Sequence, residues 1–238
     1  MIKVKNEADK AEIVISGTIV DDDEGFFLAN GGEADGYQWP SDLKKQLDAI
    51  SAEKPITVYI NSNGGSVSAG VAMANMIKRH KGHTCAIVDG WCCSIATQVF
   101  FAADERQIPK NAMLMIHKPS TVVAGDADDL VTAADALDRI QQGLESTYNS
   151  AAREGVTPEH IHELTNSGTW MTGEQAAEIF NVDVLEQESA AACLDGADMS
   201  KIPDSIKAKI MSAKNTHDDK KDDDSWHDKI KVMLAMNA

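Results

Sequence analysis

The sequence predicts an α/β fold made of repeated βαβ units around a largely parallel sheet. Short β-branched runs recur through the first half of the chain, segments of helical periodicity separate them, and glycine, serine or histidine follows several of the runs. Strands that alternate with helices favour parallel pairing with right-handed crossovers. In such sheets functional residues gather at the carboxyl ends of the strands. We therefore expect the residues that follow these strands to share one site.

The predicted elements alternate regularly up to residue 116. Each strand is short and rich in β-branched or apolar residues, and each helix carries apolar residues at a spacing of three or four. In order, they are a strand at 12–20, a Gly- and Asp-rich loop at 21–40, a helix capped by Ser41, strands at 56–60, 84–88 and 112–116, and helices over 67–77 and 94–103.

The second half of the chain begins with one long helix over 126–153. Its apolar stripe runs from Leu130 to Tyr148 and must be buried against something, such as another subunit. Helices at 158–164 and 172–180 and a strand at 182–185 complete the predicted domain, residues 1–186. Residues 187–238 have few core signals and are predicted to be an acidic linker and a weakly ordered C-terminal extension, with a short amphipathic helix near Trp226.

Composition excludes several functional classes. The chain has 238 residues, of which 43% are hydrophobic, and a formal net charge of −16. A surface this acidic argues against nucleic acid as a partner, because phosphate binding needs basic residues. The sequence has no apolar run long enough for a membrane span and no signal peptide at its start, so we expect a cytoplasmic protein. Its cysteines lack C-x-x-C spacing, which favours reduced thiols and no metal site.

Three features predict the chemistry. Ser94 follows Gly90-Trp91-Cys92-Cys93, His117 ends an apolar strand, and a glycine turn at 63–66 separates a strand from a helix. Serine hydrolysis needs an activated hydroxyl, a base, and backbone N–H groups aimed at the oxyanion. Taken singly, each residue also has a structural interpretation: Ser94 as a helix cap, and His117 as a buried hydrogen-bonding residue. Cys92 and Cys93 are rival nucleophiles that we expect to pack as small apolar groups.

Other motifs are absent. The segment around Ser94 is not the G-x-S-x-G elbow of α/β-hydrolases, and the glycine turn lacks the lysine of a phosphate-binding loop. The histidines show no zinc-ligand spacing. We therefore predict no metal and no cofactor.

Four motifs in order resemble the Clp protease proteolytic-subunit family, and most closely its phage head maturation (prohead) proteases. They are Asn61-Ser62-x-Gly64-Gly65-x-Val67-x-Ala69-Gly70, Gly90-x-x-x-Ser94, Met115-Ile116-His117-x-Pro119 and Trp170-Met171-Thr172-x-Glu174-x-Ala176. The resemblance spans about residues 10–186 and implies the crotonase-like Clp protease fold, in which the helix at 126–153 is the handle. It also implies a homo-oligomeric ring, single or as two stacked rings.

The resemblance assigns roles to individual residues. It implies Ser94 as nucleophile, His117 as base, and the backbone N–H groups of Gly65 and Ile95 as the oxyanion hole. The family's acidic residue, which orients the histidine, corresponds here to Gly168. The third catalytic residue is therefore unknown: Asn166, Ser167 or Glu163 are substitutes, and a Ser–His dyad is the other option.

The predicted function is serine-type endopeptidase activity on protein or peptide substrates, in the phage case on capsid or scaffold proteins during head assembly. The sequence leaves three alternatives. One is a housekeeping ATP-dependent Clp proteolytic subunit, whose unfoldase partner is possible but is indicated by no motif. The others are a catalytically inactive scaffold-binding homologue and an acyl-CoA enzyme of the same fold.

Overall fold

The computed structural model describes residues 2–186, and the predicted extension with its Trp226 segment lies outside the described residues. Within them the chain forms nine strands and seven helices, whose bounds are as follows. The strands are β1 (Lys3–Asn6), β2 (Ala11–Ile19), β3 (Tyr37–Gln38), β4 (Ile56–Gly65), β5 (Thr84–Cys93), β6 (Glu105–Pro109), β7 (Met113–Ile116), β8 (Thr169–Thr172) and β9 (Asp183–Leu185). The helices are α1 (Asp22–Gly31), α2 (Pro40–Asp48), α3 (Val67–Lys78), α4 (Ala96–Phe101), α5 (Ala127–Ala151), α6 (Pro158–Ser167) and α7 (Gly173–Ile179).

The sheet is largely parallel, as predicted. Strands β2, β4, β5, β6 and β9 lie side by side and pair in parallel, while β1 adds an antiparallel edge. The first half of β5 pairs with β6, and its last residues pair with β7, which forms an antiparallel pair with β8. The carboxyl end of β5 is therefore flanked by β4 on one side and by β7 on the other.

The core lies between the sheet and the helices α2, α3 and α4. Alternate residues of β2 and β4 are fully buried, as the period of two in a strand requires, and they meet apolar residues of the helices. These include Ile13, Ile15, Ile56, Val58 and Ile60 on the strands and Leu43, Met73, Ile77 and Phe100 on the helices. Each such side chain contributes about 1.5–3 kcal/mol through burial, so the two strands that lead to the glycines are firmly held.

The prediction of a loop over 21–40 is wrong. Residues 22–31 form α1, and 37–38 form β3, which pairs with the end of β2. The acidic residues that suggested a loop lie in the first turn of α1, where negative charge is stabilised by the helix dipole. Gly32 ends the helix in a left-handed conformation, with φ 76°. Likewise, α2 has Trp39 rather than Ser41 as its N-cap, with Pro40 at the first helical position.

Two strands run further than predicted. Strand β4 continues through the glycine turn to Gly65, and β5 continues through Trp91 to Cys93. The register shifts between Ser16 and Thr18 where β2 pairs with β4, and between Ile60 and Ser62 where β4 pairs with β5. These irregularities let both strands extend past the regular part of the sheet. Strands β1, β6 and β8 were not predicted, since they are short segments whose pairing is not visible in local sequence.

Helix α5 confirms the predicted long helix but not a continuous buried stripe. Gln141, Leu144, Glu145 and Tyr148 are buried, whereas Leu130 is 51% exposed and Val131 61% exposed. Only the second half of this helix thus packs on the domain. Among the helices of residues 2–186, none is both long enough and apolar enough to cross a membrane.

Candidate active site

Ser94 sits in a strained turn between β5 and α4. Its φ of 56° makes it the only described residue other than glycine with positive φ. Non-glycine residues in this region are uncommon and concentrate at functional sites. A hydrogen bond from Ser94 N to the Met115 carbonyl (2.8 Å) holds the turn against β7. The N-cap of α4 is Ile95, and no described side chain caps this helix through a hydrogen bond. The side chain of Ser94 therefore does not act as the helix cap, which was its structural interpretation.

His117 follows β7 directly, and the structure brings it to Ser94. In the parallel pair of β5 and β7, Cys93 lies opposite Met115, so both strands end at one edge of the sheet. His117 Nε2 lies 2.7 Å from Ser94 Oγ, a good hydrogen-bond distance. The imidazole is thus placed to accept the hydroxyl proton, although 23 residues separate the two in sequence.

The glycines at the end of β4 close the site on its other side. Gly64 has φ 92°, and a Cβ there would lie 2.7 Å from the Ser94 Cβ and 3.1 Å from Ile95 N. Gly65 has φ 146°, and a Cβ there would collide with the Ile19 carbonyl oxygen. Both positions therefore require glycine because backbone approaches backbone.

Two N–H groups beside Ser94 are left available. Ile19 of β2 lies opposite Gly65, and its carbonyl accepts from Ser66 N. In a parallel pair the N–H of the residue opposite then points away from the partner strand, so the Gly65 N–H does not bond to β2. Within residues 2–186 the Ile95 N–H makes no hydrogen bond. Gly64 N differs, since it donates to Ser62 Oγ at 3.1 Å. The Ile95 N–H and the Gly65 N–H, which faces away from β2, are the two groups that the sequence resemblance implied for the oxyanion hole.

A carboxylate that sequence reasoning missed braces the glycine segment. Asp21 Oδ1 accepts hydrogen bonds from Ser66 Oγ (2.8 Å) and Ser68 Oγ (2.7 Å). Ser66 Oγ in turn accepts from Ala69 N and caps α3. The cap itself was visible as a serine before a helical run. Its link to Asp21 was not, because the two residues are 45 positions apart in sequence.

Thr97 and Tyr148 support the serine turn from behind. Thr97 Oγ1 donates to the Ser94 carbonyl (2.6 Å) and lies 2.7 Å from the Tyr148 hydroxyl. Tyr148 is 1% exposed, and this burial raises the pKa of its phenol. A neutral, buried tyrosine of α5 therefore fixes the backbone that carries Ser94.

No described side chain fills the third catalytic position. Gly168 ends α6 with φ 65° and lies beside His117: a Cβ at 168 would be 3.8 Å from the His117 Cβ. In residues 2–186 the hydrogen bond to Ser94 is the only one that the His117 ring makes. Asn166 accepts instead from Gln141 Nε2 (2.9 Å), and Ser167 Oγ donates to the Glu163 carbonyl (2.8 Å). Of the substitutes named from sequence, none contacts the imidazole.

The cysteines next to Ser94 are poor nucleophiles. Cys92 is fully buried, and this burial raises the pKa of its thiol well above the ordinary value; burial also raises the pKa of Cys93 to about 11. A thiol must ionise to attack, so both are inert near neutral pH. Across residues 2–186 no group of three His, Cys, Asp or Glu side chains is arranged to hold a metal ion.

An α/β sheet that presents a serine, a histidine and free amide groups at one edge is the arrangement expected of a serine-type hydrolase. The family model described as "Clp protease" matches residues 41–187, well over half of the chain. This protein therefore belongs to the Clp protease family, whose members are peptidases that form oligomeric rings.

Individual relatives agree. The chain is 31% identical over 150 residues to ATP-dependent Clp protease proteolytic subunit 3 of Streptomyces coelicolor, a match over 61% of this chain and 68% of that protein. It is 29% identical over 188 residues to proteolytic subunit 2 of Rhodococcus jostii, over 77% and 88% of the two chains. Among solved structures, a ClpP1 mutant from Listeria monocytogenes superposes with a TM-score of 0.59 at 25% identity, covering 74% of this chain and 92% of that one. The predicted family and fold are confirmed at this level.

Proposed function

We propose that this protein is a serine endopeptidase in which Ser94 is the nucleophile and His117 the general base. The observation that carries the proposal is the 2.7 Å distance between Ser94 Oγ and His117 Nε2. The strained backbone at Ser94 and the free N–H of Ile95 support it.

In acylation, Ser94 Oγ attacks the carbonyl carbon of the scissile peptide while its proton passes to His117 Nε2. The N–H groups of Gly65 and Ile95 stabilise the oxyanion that forms, an interaction worth about 10²–10³ in kcat for one donor. Collapse of the tetrahedral intermediate breaks the C–N bond, and the leaving amine takes the proton from His117.

Deacylation repeats these steps with water. His117 Nε2 accepts a proton as water attacks the acyl carbonyl, and the same two amides hold the second oxyanion. Ser94 Oγ leaves and recovers its proton from His117. Each step uses only residues of this chain and needs no metal or cofactor.

The direct test is labelling with a fluorophosphonate probe together with hydrolysis of casein or a fluorogenic peptide. We expect the wild type to be labelled at Ser94, and Ser94→Ala to lose both labelling and hydrolysis. Ser120→Ala, at an exposed serine in the loop after β7, is the matched control and should behave as wild type. Wild type that folds but is neither labelled nor active would identify the catalytically inactive homologue.

For the biological role we propose processing of capsid or scaffold proteins during phage head assembly, based on the motif resemblance. The alternative is an ATP-dependent Clp proteolytic subunit, which is how several similar curated proteins are named. For a phage protein we propose the host cytoplasm or the assembling head as its location.

Two experiments separate these roles. Head maturation requires that co-expression with capsid proteins yields fragments with wild type and none with Ser94→Ala. An ATP-dependent subunit requires instead that a purified unfoldase is retained by the tagged protein and that ATP stimulates degradation of folded substrates.

We further propose that residues 1–186 form the catalytic domain and that 187–238 are an appendage, since the matched family region ends at residue 187. A chain that stops at Glu186 should keep peptide hydrolysis and phosphonate labelling. Loss of both in a folded truncation would place an essential element in the extension.

A further inference from the structure

We propose that the space beside Gly168 is a binding site for a small carboxylate, which accepts a hydrogen bond from Nδ1 of His117. This inference rests on the proposed function of His117. The two residues are neighbours across the antiparallel pair of β7 and β8. Ile116 lies opposite Thr169, so His117, which follows β7, faces Gly168, which precedes β8.

The space beside Gly168 is open. Most glycines near the site are hemmed in by backbone, as Gly64 is by Ser94 and Gly65 by Ile19. At Gly168, among atoms of residues 2–186 other than those of its chain neighbours, only the Cβ of His117 lies within 4 Å of the Cβ position, at 3.8 Å. A carboxylate group has only three heavy atoms, and no side chain of residues 2–186 packs at the Cβ position of residue 168, where such a group would lie.

The imidazole of His117 has a second nitrogen that makes no hydrogen bond within residues 2–186. Nε2 of His117 is occupied by Ser94, which leaves Nδ1 as the remaining ring donor. The polar side chains on the last turn of α6 are engaged elsewhere, Asn166 with Gln141 and Ser167 with the Glu163 carbonyl. Within residues 2–186, nothing therefore fixes the tautomer that Ser94 requires.

A carboxylate meets both needs of this histidine. It accepts the Nδ1–H, which fixes the neutral tautomer with Nε2 free to accept, and its charge stabilises the imidazolium formed as Ser94 attacks. The proton stays on Nδ1 throughout, so the bound ion is neither consumed nor protonated. Formate and acetate have the right chemistry and size, and an aspartate side chain at position 168 would supply the same group covalently.

The test is a titration of the wild-type protein with formate at constant ionic strength, with chloride as the counter-titration. We expect saturable acceleration of phosphonate labelling and of kcat, with little change in KM, by roughly tenfold, part of the about 10⁴ that an orienting carboxylate contributes in a serine protease. Gly168→Asp should show at least this gain without formate and no further response to it. Aspartate tolerates left-handed φ better than most residues, so this variant should fold.

Gly168→Asn is the charge control and Gly168→Ala the control for occupied space. Asparagine should recover less than aspartate because it lacks the charge, and alanine should lose the formate response without any gain. Circular dichroism confirms that each variant is folded. The inference is overturned if formate and chloride act alike on an active wild type, or if folded Gly168→Asp is no faster than wild type.

A second measurement does not depend on turnover. In histidine-edited nuclear magnetic resonance spectra, formate should shift the ring resonances of one histidine in the wild type, and that response should vanish in His117→Gln. Absence of such a shift overturns the binding site. A shift without labelling or hydrolysis in any variant would retain the site and refute the proposed peptidase function instead.

Discussion

Gly64 and Ser94 approach so closely that a Cβ on the glycine would lie 2.7 Å from the Cβ of the serine. Real Cβ contacts are not this short, so one of the two backbones must move if position 64 gains a side chain. Gly64→Ala should therefore displace Ser94 from His117 and reduce kcat/KM by at least about 10²-fold, since small misplacements in a catalytic group cost that much. Fluorophosphonate labelling of Ser94 should slow in parallel.

The matched control is Gly31→Ala, where, among residues 2–186, no atom beyond the chain neighbours and the backbone of the same helix lies within 4 Å of the added Cβ. That variant should keep full activity and gain slightly in stability, because alanine is the better helix former. Equal activity of Gly64→Ala and wild type would mean that the two loops do not pack as described.

Asp21 is predicted to position the glycine segment through Ser66 and Ser68. Asp21→Asn keeps the shape but weakens two charge-assisted hydrogen bonds, so we expect a loss of about 1–2 kcal/mol in the free energy of unfolding. Because Ser66 directly follows Gly65, kcat should fall more than KM rises. Asp23→Asn, an exposed acidic residue of α1, is the control for charge alone. A variant at Asp21 that loses stability with unchanged kcat would restrict this residue to supporting Ser66, the cap of α3.

The cysteines beside Ser94 should be unreactive at pH 8. Burial raises the pKa of Cys93 to about 11, and burial together with nearby acidic side chains raises that of Cys85 to about 11. A thiol with that pKa is ionised in only about one molecule in 10³ at pH 8. In a Cys193→Ser background, iodoacetamide should therefore leave hydrolysis intact, and modification of Cys93 should accelerate as the pH rises toward 11. If iodoacetamide inactivates the enzyme rapidly at pH 8 and Cys93→Ala prevents this loss, the Cys93 thiol would again be a candidate nucleophile.

Asp104 should stabilise the start of β5 in a pH-dependent way. Its carboxylate accepts from Thr84 N (3.0 Å) and Thr84 Oγ1 (2.9 Å), and these hydrogen bonds lower the pKa of Asp104. Since the folded-state pKa lies below the unfolded one, this stability is present above about pH 3.9 and is lost as the pH falls through the lowered value.

Asp104→Ala should thus cost about 1 kcal/mol at pH 7, a modest value because the side chain is largely exposed, and the difference from wild type should shrink below pH 4. Urea unfolding at several pH values measures it. Asp138→Ala, at an exposed position of α5, should show no such pH dependence. A constant difference between Asp104→Ala and wild type down to pH 2 would contradict the charge-dependent role of the carboxylate.

Local pattern was enough to predict the order of the main βαβ units and the site residues they carry. The strands that end near Gly65, Ser94 and His117 are β-branched or apolar runs of ordinary length, and their periodicity differs clearly from that of α3. Because parallel strands end at one edge, the sequence also predicted that these residues lie together. The capping box of α7 is equally local: Gln175 N donates to Thr172 Oγ1, and Thr172 N donates to the Gln175 side chain.

Tertiary structure decided what depends on partners distant in sequence. The helix at 22–31 has weak amphipathicity and exposes Phe26 and Phe27, so its composition resembles that of a loop. Strand β6, which the sequence did not predict, is defined by its pairing with β5 and with the predicted strand β9. The long helix α5 shows one apolar stripe in sequence, but only contacts with α4 and α6 determine that its second half is the buried one.

The same division holds within the site. Sequence alone predicted which residues would share the site, because a serine, a histidine and two glycines after successive strands form a local pattern repeated along the chain. Only the folded chain decided that Asp21 accepts from Ser66, that Asn166 pairs with Gln141, and that no side chain of residues 2–186 packs beside His117 at Gly168. Such side-chain pairings and packing gaps depend on distances between segments far apart in sequence, and periodicity along one segment carries no information about those distances.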